Sequence, residues 1–115
     1  MFCDYDVLKN LYSLQIRNQQ RKSESQYLLL LTMDTKAGKT PPKPLLYKDM
    51  SQLTEVLKRC LRKNDVVASY SESQYLLMLS SLSHENAEMV RDRLESEFAR
   101  CCTLTAITYS IVAIH

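Results

Sequence analysis

Glycine is almost missing from this sequence. The 115 residues include one, Gly38, where average usage of about 7% would give roughly eight. Loops that cradle phosphate groups need several residues that accept positive φ angles and let a ligand approach the backbone closely. Neither a P-loop nor a glycine-rich dinucleotide-binding fingerprint can therefore be built from this chain.

The sequence also lacks the cysteine and histidine spacings of a zinc site. No two cysteines form a C-x-x-C pair, and the histidines lie far from them: Cys3, Cys60, Cys101, Cys102, His84 and His115. The amino terminus carries acids where a secretory signal carries lysines, and the longest apolar run, residues 27–31, is too short to cross a bilayer. We therefore expect no metal, no disulfide framework and no membrane contact. The cysteines are interpreted as buried thiols of a reduced, cytoplasmic protein.

Charge is distributed unevenly, although the net charge is only +2. Residues 1–64 hold twelve Lys/Arg against six Asp/Glu, whereas residues 65–115 hold three against seven. A basic first half is compatible with an anionic ligand or an acidic partner surface. The acids interleaved with these bases favour a solvated helical surface, so direct nucleic-acid contact is not expected.

Hydrophobic periodicity predicts one domain over residues 1–115, with 45% hydrophobic and 24% charged residues. The predicted elements are a helix at 6–21, a buried strand at 27–31, a loop at 34–44 holding every proline and the glycine, a helix at about 47–63, a hairpin of strands 65–70 and 75–79, a helix from Ser83 to about Ala99, and a strand at 104–114. After the leading helix, residues 27–114 follow the order βαββαβ. This order predicts an α+β ferredoxin-like fold, the split βαβ arrangement, with four strands and helices on one face.

An internal repeat supports this order. Residues 23–31 return as residues 71–79, with eight of nine positions identical. In a split βαβ fold the first and third strands are related by pseudo-symmetry and lie side by side at the sheet centre. We therefore expect the two repeats to pair; coincidence between two leucine-rich strands remains the alternative.

The order and spacing of these elements resemble diguanylate cyclase (GGDEF) domains, a nucleotide-cyclase-like fold. The resemblance covers residues 6–114 and lies in the helix end and strand at 61–70, the strand at 76–79, the helix around 92–94 and the closing strand at 107–113. The motif that names the family is absent. The degenerate carboxyl-terminal domain of some bacterial regulators that carry a transcriptional-activator domain is the most similar variant, on residues 3–6 and 70–75.

The resemblance implies that the cyclase chemistry is lost. In place of the motif the chain has Ser71 and Glu72 for the two glycines, Ser73 for the acidic metal ligand, Gln74 for the invariant glutamate and Tyr75 for the aromatic residue. The family's other metal ligand, an aspartate, aligns with Thr32, and Asp34 follows two residues later. Because Mg²⁺ prefers carboxylate oxygens, a single aspartate cannot replace two ligands. We predict no enzyme activity, no catalytic residue, no metal and no cofactor.

One feature of the family survives in the sequence. Arg62 and Asp65 match the R-x-x-D of the site through which cyclic-di-GMP inhibits its own synthesis, and Arg93 aligns with an arginine that joins it. Arginine forks grip phosphate and guanine edges, and an aspartate accepts from guanine N–H groups. The structural alternative is an arginine that favours a helix end beside an aspartate that favours a turn.

The sequence therefore predicts a non-catalytic regulatory or protein-interaction module, with a cyclic-di-GMP receptor as the alternative. The resemblance implies that the chain is a fragment of a larger bacterial transcriptional signalling protein. Its expected partners are other domains of the same regulator, a homodimer mate or cyclic-di-GMP.

Overall fold

Eight elements follow one another in the computed structural model, which describes residues 2–19, 26–62, 65–79 and 84–114. They are β1 (Phe2–Cys3), α1 (Tyr5–Gln19), β2 (Gln26–Thr35), α2 (Lys43–Cys60), β3 (Val66–Ser71), β4 (Gln74–Leu79), α3 (His84–Cys101) and β5 (Thr105–Ile114). The predicted end of the first helix, at 20–21, and Ser83, at which the third helix was predicted to begin, lie outside the described residues, as does the start of the first repeat. The second helix was predicted to run to about 63, which was wrong, because the chain is already extended at Leu61.

The strands form one sheet in the order β1-β3-β4-β2-β5. The pairs that β2 makes with β4 and β5 are antiparallel, as is the pair of β3 with β4. The units β2-α2-β3 and β4-α3-β5 therefore interleave in one sheet, which confirms the predicted α+β split βαβ fold. The two-residue strand β1, parallel to β3 at the sheet edge, was not predicted.

The two sequence repeats pair with each other, as predicted. Leu29 lies opposite Leu77, its own counterpart in the repeat, while Tyr27 lies opposite Leu79 and Leu31 opposite Tyr75. A pseudo-twofold axis thus passes between Leu29 and Leu77. Both leucines are buried, so the repeat provides the central strand pair of the core.

The sheet buries both of its faces, each against different helices. Side chains alternate along a strand, so Leu29 and Leu31 join the larger cluster with α2 and α3, for example with Leu53 and Phe98. On the opposite face, Leu8 of α1 packs with alternate residues of β3 and β4: Val66, Ala68 and Met78. The core helices α2 and α3 share one face, as predicted, and the leading helix covers part of the other.

The proline-rich segment is more regular than its composition predicts. β2 continues to Thr35 because it pairs with β5 along its whole length. Gly38 (φ 81°) then makes a tight turn, and its backbone N–H donates a hydrogen bond to the Thr35 carbonyl at 2.8 Å. α2 begins at Lys43, with Pro42 at its N-cap and Pro44 in its first turn. Proline fits a first turn because its φ angle is preset and the N–H it lacks has no intrahelical acceptor there. The predicted loop is confirmed at 36–42 and wrong at both ends, where β2 and α2 extend into it, and the predicted helix start at 47 was wrong.

The cysteines do not share one environment. Cys102 is buried, Cys3 and Cys60 are half-buried, and Cys101 is exposed. The prediction of buried thiols is wrong for Cys101, because the last turn of α3 directs adjacent residues to different sides of the helix. None of the helices described is long and apolar enough to cross a membrane.

Candidate functional site

The residues that the sequence resemblance aligned with the cyclase metal centre lie where the β3–β4 hairpin meets β2. Gln74, the first residue of β4, is paired with Thr32, and its Nε2 donates a hydrogen bond to Thr32 Oγ1 at 3.0 Å. Ser71 Oγ in turn donates to Gln74 Oε1 at 2.8 Å. The three side chains form one hydrogen-bonded chain of neutral groups across three strands, β3, β4 and β2.

The hairpin turn consists of Glu72 and Ser73 and is joined to β2 through its backbone. Met33 N donates to the Ser73 carbonyl oxygen at 2.8 Å, and a register shift between Ser69 and Ser71 bends β3 just before the turn. Both turn residues carry a Cβ atom, which keeps a ligand farther from the backbone than glycine does. The structure thus brings the aligned positions together, with no carboxylate on Thr32, Ser73 or Gln74.

Tyr75, aligned with the aromatic residue of the family motif, connects the hairpin to α2. Its hydroxyl lies 2.7 Å from Thr54 Oγ1. Because Thr54 donates its hydrogen to the Met50 carbonyl at 3.0 Å, Tyr75 is the donor of the shared bond. The ring of Phe2 approaches that of Tyr75 edge-on, with centroids 6.5 Å apart. The sequence did not predict this bond; the helical pattern indicated only that Thr54 lies on α2.

The R-x-x-D residues lie between the end of α2 and the start of β3, and the aspartate has an internal role there. Asp65 Oδ2 accepts the Arg62 backbone N–H at 2.9 Å, and Asp65 N donates to the Arg62 carbonyl at 3.1 Å. The side chain of Asp65 is 2% exposed and that of Arg62 is 57% exposed. Asp65 therefore stabilises the turn after α2 and does not face solvent.

Arg62 and Arg93 line one open depression of about 310 Å³ between α2 and α3. Asn86 joins them on its wall, with Cys60 and Val90 also lining it. Burial raises the pKa of the Cys60 thiol, although the Arg93 guanidinium beside it acts in the opposite direction. The structure brings the two predicted arginines together, whereas Asp65 is not among the residues that line the depression.

Known structures share this architecture. The GGDEF domain of YfiN from Pseudomonas aeruginosa superimposes with a TM-score of 0.82 at 16% identity, over 96% of this chain and 75% of that one. The diguanylate cyclase SiaD from the same organism, solved with its activator SiaC, gives 0.79 at 14% identity over 97% and 46%. The coiled coil and GGDEF domain of DgcB from Caulobacter crescentus, solved with c-di-GMP, gives 0.79 at 8% over 97% and 65%. This chain has the GGDEF fold.

No family model and no curated protein sequence matches the chain. The likeness to GGDEF structures, at 8–16% identity, is one of fold. Function has to be argued from the residues that this chain places on the GGDEF fold, since one fold supports many activities.

Proposed function

We propose that this domain is a non-catalytic regulatory and protein-interaction module on a GGDEF fold. One observation carries the proposal: the hydrogen bond between Thr32 and Gln74. Phosphoryl transfer from a nucleoside triphosphate needs a divalent cation to gather charge, and Mg²⁺ is held by carboxylates. Here two of the aligned positions are Thr32 and Gln74, and the Gln74 amide donates a hydrogen bond to the Thr32 hydroxyl at 3.0 Å.

We place the module in the cytoplasm, as part of a larger transcriptional regulator. The place in a regulator rests on the likeness of residues 3–6 and 70–75 to the degenerate domains of such proteins, and the compartment on free thiols at all four cysteines. SiaD was solved with a protein activator, and we propose that this chain likewise acts through contacts with other domains of its regulator or with a second copy.

Incubation of the purified domain with Mg²⁺ and GTP tests the non-catalytic assignment, with an active GGDEF domain run in parallel. We expect no cyclic-di-GMP product by chromatography and no heat of GTP binding in calorimetry. Product that forms with Mg²⁺ and disappears in Gln74→Ala would overturn the proposal. In cells, deletion of the domain should alter transcription while the cyclic-di-GMP level stays unchanged.

The second candidate function is a cyclic-di-GMP receptor, favoured by the shared depression of Arg62 and Arg93. DgcB was solved with this dinucleotide. Two guanidinium groups that line one depression suit its phosphates. The inward-facing, 2% exposed side chain of Asp65 weighs against it, since that carboxylate has to turn outward to accept from guanine.

Calorimetric titration with cyclic-di-GMP separates the two functions. A receptor should bind it and lose the affinity in Arg93→Ala but not in Arg100→Ala, whose side chain is 78% exposed on the last turn of α3. If the domain is only an interaction module, cyclic-di-GMP should give no heat of binding with the wild-type protein or with either variant. Binding that is equal in all three proteins would exclude the arginine site.

A further inference from the structure

A cleft separates α1 from the middle of the sheet, on the face opposite α2 and α3. α1 packs on β3 and β4 through Leu8, and within the described part of the chain Leu28 of β2 and Leu76 of β4 are only half-buried on this face. The cleft has a volume of about 290 Å³ and is lined chiefly by Tyr5, Leu8, Lys9, Tyr12, Leu28 and Leu76. Its floor is therefore aliphatic, and its α1 wall holds two phenol rings and one cation.

The cation on this wall is held in position by aromatic contacts. Lys9 Nζ lies 5.5 Å from the centroid of the Tyr5 ring, a distance at which an ammonium is attracted to a ring face. Tyr5 is in turn fixed edge-on against Tyr70, with centroids 5.4 Å apart. The Tyr70–Tyr5–Lys9 series thus sets a positive charge beside the apolar floor.

The neighbouring hydroxyl of Ser13 does not compete for this role. Ser13 Oγ donates its hydrogen to the Lys9 carbonyl oxygen at 3.1 Å, so the Lys9 ammonium is the strong donor on this side of the cleft. Among the described residues that line the cleft, Lys9 is the one cation, and a cation above an aliphatic floor is complementary to a molecule with one anionic end and one apolar end.

The size of the cleft limits its occupant to a small molecule. An engineered apolar cavity of about 150 Å³ binds benzene, and this cleft has about twice that volume. It holds one short alkyl chain or one to two rings, whereas an amphipathic helix needs a groove several turns long. The apolar end would lie on Leu28 and Leu76, with the anionic end at Lys9.

We propose that this cleft is a binding site for a small amphipathic carboxylate. The apolar tail is held by Leu28 and Leu76, and the carboxylate by Lys9. The site lies on the opposite face of the sheet from the arginine depression and does not depend on the non-catalytic role proposed above.

Octanoate and 1-octanol, two probes of equal chain length, test this site by chemical-shift mapping on the isotope-labelled domain. Below its micelle concentration octanoate should shift amide signals of α1 and of the strands around Leu28 and Leu76 to a one-site plateau. Octanoate should bind about fivefold more tightly than octanol, the contribution of one solvent-facing ion pair.

Two lysine variants separate the proposed contact from general charge effects. Lys9→Met should weaken octanoate binding about fivefold and leave octanol binding unchanged. Lys48→Met, which removes an exposed lysine of α2 on the other face, should change neither. The proposal is overturned if octanoate shows no saturable shift, if the shifts map elsewhere, or if the two lysine variants behave alike.

Discussion

Gln74 and Thr32 satisfy each other across the centre of the sheet, with Gln74 Nε2 donating to Thr32 Oγ1 at 3.0 Å. Ser71 Oγ donates to the other end of the same amide. Both oxygen and nitrogen of Gln74 are therefore engaged within the protein. The side chain that the sequence resemblance aligned with the invariant glutamate of the family motif joins the hairpin to β2.

This role predicts an energetic coupling between Gln74 and Thr32. Gln74→Ala and Thr32→Val should each lower the free energy of unfolding by about 1 kcal/mol, and the double variant should lose less than the sum because the two share a bond. Urea denaturation of the four proteins measures the coupling. Glu72→Ala, in the exposed turn, is the matched control and should change stability by less than about 0.5 kcal/mol. Strict additivity would show that the bond contributes nothing.

A buried hydroxyl joins the start of β5 to α2. Thr105 Oγ1 donates to Asp49 Oδ2 at 2.7 Å, and both residues are buried. Thr105→Val removes the donor from a buried carboxylate and should cost about 1.5–3 kcal/mol of unfolding free energy. Thr103→Val, at an exposed position two residues earlier, is the control for thermal unfolding. Equal melting temperatures for the two variants would contradict the assigned role.

The R-x-x-D pair should separate in mutation experiments. Asp65→Ala leaves the Arg62 N–H without its 2.9 Å acceptor and should lower the unfolding free energy by about 1–3 kcal/mol. Arg62→Ala keeps that backbone bond and removes a 57% exposed side chain together with its 3.9 Å ion pair to Asp65 Oδ2. Because an ion pair with a solvent-facing partner contributes little, the effect should stay below about 1 kcal/mol. Chemical denaturation measures both. If Arg62→Ala were as unstable as Asp65→Ala, the ion pair between the two side chains would contribute more to stability than the backbone hydrogen bond does.

The sheet core could be predicted because its pattern is local and repeated. The repeat that includes Leu29 and Leu77 indicated which strands pair, and the structure places these two residues opposite each other. The apolar stripes in the sequences of α2 and α3 predicted which side of each helix packs against the core. In each case the buried side chains recur at the spacing of the element that carries them, so the sequence alone was sufficient.

Features that depend on contacts distant in sequence could not be predicted in this way. Phe2 and Cys3 form a strand only because β3 offers a free edge. The Thr54–Tyr75 bond joins residues 21 positions apart. The turn role of Asp65, by contrast, rests on bonds to Arg62 three residues away, and the sequence already offered it as the structural alternative. The cleft beside α1 exists because of where that helix crosses the sheet, which no periodicity specifies.

Cys102 gives the fold a specific dependence on pH. Burial, followed by the nearby Asp49 carboxylate, raises the pKa of this thiol from 9.0 to about 12. The folded state therefore holds a proton that the unfolded chain releases above about pH 9. Stability should be independent of this group below pH 9 and should fall between pH 9 and 12, by up to about 1.4 kcal/mol per pH unit.

Denaturant unfolding at a series of alkaline pH values measures this loss, and two adjacent cysteines provide the comparison. Cys102→Ala should be less stable near neutral pH because it leaves a small cavity, yet its stability should fall less steeply above pH 9, since the proton-binding difference at this position is gone. Cys101→Ala, at the exposed neighbour, keeps the buried thiol and should retain the steep wild-type slope. Identical slopes of unfolding free energy against pH for the two variants would mean that ionisation of Cys102 is not linked to folding. The alkaline loss of stability would then have to come from the other groups whose pKa values burial raises: Cys3, Cys60 and Tyr109.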